Sequence, residues 1–99
     1  MKNFDYLKPY EHLADLYAYC RTAELKQVSD PEKSALNGRK ALEWLVRNIY
    51  RMKNIEVSDR TSLYTLIDGE PFRKFVGDDK LMMAVHYIRK VGNKAAHST

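Results

Sequence analysis

The sequence predicts an all-α fold, a compact bundle of four to five helices. Three observations predict it. Apolar residues recur at i, i+3, i+4 and i+7 along most of the chain. No run alternates apolar and polar residues with period two, so no sheet is expected. Glycine is scarce, four in 99 residues, and the three prolines (Pro9, Pro31, Pro71) stand where helices would begin.

The first helix is expected after Pro9 and to about Val28, with Leu13, Leu16, Tyr17 and Cys20 on one amphipathic face. Phe4, Tyr6 and Leu7 ahead of it read as a hydrophobic lead segment that packs back on the domain. The second helix has the clearest start: Asp30 as N-cap, Pro31 as first residue and Glu32 at the positive end of the dipole. Its apolar face is Ala35, Leu42, Leu45, Val46, Ile49 and Met52, with Trp44 and Tyr50 widening that face or at its rim, and it should end near Lys53-Asn54. Ser58 or Asp59 is expected to cap a short helix bearing Leu63, Leu66 and Ile67, stopped by Gly69. A further turn covers Phe72 to Val76 before Gly77, and Asp78 caps the last helix, with Leu81, Val85, Ile88 and Gly92 on one stripe. Short connections favour antiparallel neighbours. The expected core is therefore Leu42, Leu45, Val46, Ile49, Leu81, Val85 and Ile88, buried against one another.

Ninety-nine residues suit one domain, large enough to bury a core without disulfides or metal. Ser98 and Thr99 follow the last polar motif directly, and the chain reads as the N-terminal piece of a longer protein. Seventeen Lys and Arg against 13 Asp and Glu give a formal charge of +4, interspersed rather than in blocks. The single cysteine, Cys20, has no partner for an internal disulfide and reads as a small buried hydrophobe. Neither a signal peptide nor an apolar run of membrane-spanning length is seen, which predicts a cytoplasmic protein without a membrane partner.

Three histidines (His12, His86, His97) show no metal-ligand spacing, so no metal is expected. There is no Gly-rich phosphate loop, so the chain should not be an ATPase by itself, and no cofactor is expected in this domain. Two basic strips could contact phosphate: Lys40, Arg47 and Arg51 on the second helix, and Arg73 with Lys74 further on. The richest motif is Ile88-Arg89-Lys90-Val91-Gly92-Asn93-Lys94-Ala95-Ala96-His97. A mid-helix glycine costs about 1 kcal/mol relative to alanine, so Gly92 should gain close packing or a bend. Asn93 and His97 share a helix face. One reading is structural: both meet the second helix in a polar cluster with Glu24, Arg39 and Glu43. The other is catalytic: His97 as general base with Asn93 nearby and Arg89 or Arg39 stabilising a phosphate would cleave RNA without metal.

The motif, together with Asn3-Phe4-Asp5-Tyr6-Leu7, Ala23-Glu24, Asp30-Pro31, Arg39 and Glu43, resembles the small helical domain at the N-terminus of type I restriction enzyme R subunits. The resemblance spans almost the whole chain. It implies an accessory or docking domain, itself non-catalytic, ahead of nuclease and ATP-dependent translocase domains in a type I site-specific deoxyribonuclease. Partners would be other domains or subunits of a restriction complex, with DNA reached through the holoenzyme and homodimerisation left open. The same motif is similar to HEPN domains, helical bundles whose active members are RNases with an Arg-polar-x-x-x-His signature. Asn93 and His97 match that signature, Gly92 stands at its Arg position, and Arg89 lies one turn earlier. A HEPN-type RNase and a nucleic-acid-binding module are the alternative readings.

Overall fold

A computed structural model describes residues 3–97. Five α-helices account for most of it: α1 (Ala14–Leu25), α2 (Pro31–Met52), α3 (Leu63–Asp68), α4 (Glu70–Val76) and α5 (Asp79–Ala96), with no strand among the described residues. Two 3-10 turns, Asp5–Leu7 and Glu11–Leu13, precede α1. The long helix α2 is the axis of the bundle, and the other four helices all pack on it.

Local chemistry sets the ends of α2. The Asp30 carboxylate accepts from the Lys33 backbone N–H at 3.1 Å, and Pro31 occupies the first turn. At the far end Asn54 takes a left-handed conformation (φ 59°), which lets the Ile55 N–H bond to the Tyr50 carbonyl at 3.0 Å. The last helix starts as its sequence predicts, with the Asp78 carboxylate accepting from the N–H groups of Lys80 and Leu81 at 2.7 and 3.2 Å. Gly77, at φ 67°, ends α4 just before it.

Two boundaries differ from the expected ones. α1 ends at Leu25, not Val28, because the chain is already turning into α2: the Ser34 hydroxyl donates to the Ala23 carbonyl at 2.6 Å. α3 is capped by Ser62, whose hydroxyl accepts from the Thr65 N–H at 3.1 Å, rather than by Ser58 or Asp59. The reason is long-range. Arg47 of α2 donates to the carbonyls of Ser58 (3.4 Å) and Thr61 (2.7 Å) and holds that stretch in a turn.

The core falls into two parts on either side of α2. Leu42, Val46, Ile49 and Tyr50 meet Leu63, Leu66, Ile67 and Phe72 on one side, with Met82 and Val85 of α5 packed against them. Ala41 meets Leu7 and Leu16 on the other, with Phe4, Tyr17, Cys20 and Trp44 around them. The lead segment thus packs back as expected through Phe4 and Leu7, although Tyr6 is exposed. Tyr50 is buried and donates to the Leu66 carbonyl at 2.7 Å, which satisfies its hydroxyl. Burial raises its phenol pKa, opposed by a hydrogen bond with the Phe72 backbone. Burial likewise pushes the half-buried Cys20 thiol up, the behaviour of a packing residue.

Three of the seven expected core residues are not in the core. Leu45 is 42% exposed, Leu81 56% and Ile88 41%. Periodicity places them correctly on apolar faces of α2 and α5. Of the three, Ile88 lines a cleft between α1 and α5.

Candidate functional site

The sequence motif folds into the junction between α2 and α5. These helices run antiparallel: Gly92 meets Ala35 and Arg39, whereas Met82 and Val85 reach the buried cluster further along α2. Gly92 is buried, and a Cβ there would collide with the Arg39 Cβ and lie 3.0 Å from the Ala35 carbonyl oxygen. Its missing side chain is what brings the backbones together. Beside it, Arg39 Nη1 donates to the Asn93 side-chain oxygen at 2.9 Å, while the buried Arg39 Nε has no partner.

The rest of the expected polar cluster disperses. Glu43 pairs with Arg47 on its own helix at 3.0 Å. Glu24 pairs with Arg21 at 3.2 Å and accepts from the Asn3 N–H at 3.3 Å. His97 caps α5, is exposed, and its side chain has no hydrogen-bond partner among the described residues. Arg89, Asn93 and His97 do not converge. Asn93 reaches α2, whereas Arg89 reaches back toward α3.

That reach of Arg89 builds a feature that sequence reasoning missed. Its guanidinium lies over the Tyr64 ring, 4.9 Å from the centroid, and its Nε donates to His86 Nδ1 at 3.3 Å. Tyr64 and His86 are themselves in ring contact at 5.6 Å. To accept at Nδ1, His86 must be neutral with its proton on Nε2. Its surroundings favour that form: desolvation lowers its pKa, and the Arg89 and Lys90 charges lower it further against the opposing pull of Asp68. The trio fastens α5 to α3. The His86–Arg89 pair was legible at i, i+3 spacing; the contribution of Tyr64, from another helix, was not.

The expected nucleic-acid residues fall on two separate surfaces. Lys40, Arg47 and Arg51 line a groove on α2 with His12, Asp15 and Trp44. Arg47 is already engaged with Glu43, Ser58 and Thr61, and Arg51 lies 3.5 Å from the Asn48 side-chain oxygen. Arg73 and Lys74 sit on α4, where Lys74 pairs with Glu70 at 2.8 Å. No group of three or more His, Cys, Asp or Glu side chains gathers into a cation-binding set among the described residues.

The remaining feature is the cleft between α1 and α5, floored by α2. Its walls include Phe4, Ala23, Ala35, Gly38, Ile88 and Val91, and it encloses about 390 Å³. Leu81, Ala84, Ile88, Val91 and Ala95 recur on one face of α5, and Ile88 and Val91 of that face line the cleft. Leu81, Ile88 and Val91 are 56%, 41% and 36% exposed. Comparisons with known protein families, curated proteins and solved structures return no match. No helix among the described residues is long and apolar enough to cross a membrane.

Proposed function

We propose that this chain is a helical docking module, and that it serves as a non-catalytic accessory domain of a type I restriction enzyme R subunit. The observation that carries the docking reading is the apolar face of α5 that α1 leaves uncovered. Exposed apolar faces mark interaction sites when they form large patches. The restriction-complex assignment rests on the resemblance along the chain. The dispersal of Arg89, Asn93 and His97 favours docking over the RNase alternative.

Sedimentation of the purified chain with the nuclease and translocase portion of an R subunit from the same genome tests this reading. Association of the two is the expected result, weakened by Val91→Arg, which puts a charge into the cleft from a partly exposed wall position. Independent sedimentation, with metal-free RNA cleavage that His97→Ala abolishes, would overturn it in favour of the RNase.

A further inference from the structure

We infer that the basic groove between α2 and the first half of α1 binds an acidic segment of a partner protein. The groove encloses about 660 Å³ and shares no lining residue with the α1–α5 cleft. It is a second surface, and the inference stands apart from the docking reading.

Charge comes first. The charged residues that line the groove are Arg39, Lys40, Arg47 and Arg51 against Asp15 and Glu43. Glu43 and Arg47 neutralise each other at 3.0 Å. Arg39 hydrogen-bonds the neutral Asn93 amide, and no carboxylate pairs with it among the described residues. Lys40 and Arg51 are exposed and have no ion pair there either. Only Asp15 offsets these cations inside the groove. An uncompensated positive wall attracts an anionic ligand.

Spacing and aromatic rings say what else the ligand carries. Lys40, Trp44, Arg47 and Arg51 follow one another at steps of four, three and four residues, so they share a face of α2. Lys40 and Arg51 stand at the ends of that stripe, about 16 Å apart along the axis, with Trp44 between them. The Lys40 ammonium lies 6.0 Å from the centroid of the Tyr19 ring. Tyr19 and Trp44 both line the groove and pack on the Leu7, Leu16 and Ala41 cluster, which anchors them. Anchored Trp and Tyr beside Arg is the composition of the dominant positions in protein interfaces. The fitting segment therefore sets an apolar side chain on Trp44 and carboxylates toward Lys40 and Arg51.

A nucleic-acid strand meets the same cations less well. It carries a phosphate at every nucleotide, so some must pass Asp15 and Glu43, where like charges repel. Lys40 and Arg51 support about two phosphate contacts, too few for tight binding by phosphate neutralisation. A peptide places its acids only opposite the cations.

Trp44 is the only tryptophan of the chain, so its emission reports on this groove. A displayed library of fully randomised 12-residue peptides is panned against the chain, and the best enriched peptide is titrated while Trp44 fluorescence is followed. Enrichment of Asp and Glu is expected, with a saturable change in emission. The Lys40→Glu, Arg51→Glu double variant should weaken binding by about tenfold or more. Lys40→Ala and Arg51→Ala should each act in the same direction, whereas Lys80→Glu, on α5 outside the groove, should not. All of these side chains are exposed, and circular dichroism melting checks that the variants fold. Enrichment of neutral or basic peptides, no enrichment, or equal binding to the double variant would overturn the inference. An oligothymidylate of twelve nucleotides that changes Trp44 emission at lower concentration than the peptide, through the same two cations, would overturn it in favour of nucleic acid.

Discussion

At Gly92 the whole α2–α5 packing depends on one hydrogen atom in place of a methyl group, and its neighbour Asn93 converts that approach into a polar contact. Arg39 is the exposed party in this arrangement, since its Nε is buried without a partner and Nη1 relies on Asn93. Asn93→Ala should therefore destabilise the chain by about 1 kcal/mol, the loss of a part-buried hydrogen bond to a charged donor, as read by urea unfolding. An unchanged midpoint would show that water replaces the lost contact. His97→Ala should stay within about ±0.5 kcal/mol, as surface substitutions do. Sequence spacing pairs Asn93 with His97 and gives both a place against α2. The helix ends between them, however, and the cap residue turns to solvent. A spacing rule holds only while the helix continues, and frayed ends defeat it.

Each helix is held to its neighbours by contacts of long sequence separation, and these decided what the sequence could show. The caps at Asp30 and Asp78 and the left-handed Gly77 were legible because their chemistry lies within a few residues. The start of α3 was not, because Arg47 fixes the preceding turn from another helix. Arg47→Ala should release that turn, at a cost of about 1–2 kcal/mol for charged donors withdrawn from two carbonyls. Thermal melts compared with those of Arg51→Ala, an exposed residue on the same strip, isolate the effect; equal melts would refute the clamp. The α3–α5 fastening carries a pH signature. His86 has a lowered pKa in the folded chain, with desolvation the leading cause and Arg89 next. The unfolded chain therefore binds the proton first as pH falls, near the ordinary imidazole value of ~6.5. The stabilisation is fully present above that value and is lost as pH falls through the folded-state pKa below it. Melting temperature should fall on acidification from pH 7 to pH 5, and His86→Gln should flatten that slope. A slope unchanged in the variant would place its origin elsewhere.

For the molecule as a whole, the helical class and the order of elements were legible, and the closure of the bundle was not. Hydrophobic periodicity identifies an apolar face without saying whether this chain covers it. Leu42 and Leu45 illustrate the difference, one at 7% and the other at 42% exposure on the same helix. Leu42→Ala should cost about 2–5 kcal/mol, as buried leucines do, and Leu45→Ala clearly less. Similar losses at the two positions would mean that Leu45 is covered in solution. The same reasoning explains why the docking face escaped sequence reading: an uncovered apolar stripe and a core stripe have one pattern. The claim that the cleft stands open is tested most directly by the stability of Gly38→Ala and Gly92→Ala, measured side by side in urea. Both replace a mid-helix glycine of the same α2–α5 interface, so their helix propensities cancel in the comparison. An open cleft predicts that Gly38→Ala stabilises by about 0.5–1 kcal/mol, while Gly92→Ala destabilises by about 1–3 kcal/mol through overpacking. Loss of stability at both positions would contradict the open cleft and, with it, the docking function drawn from it.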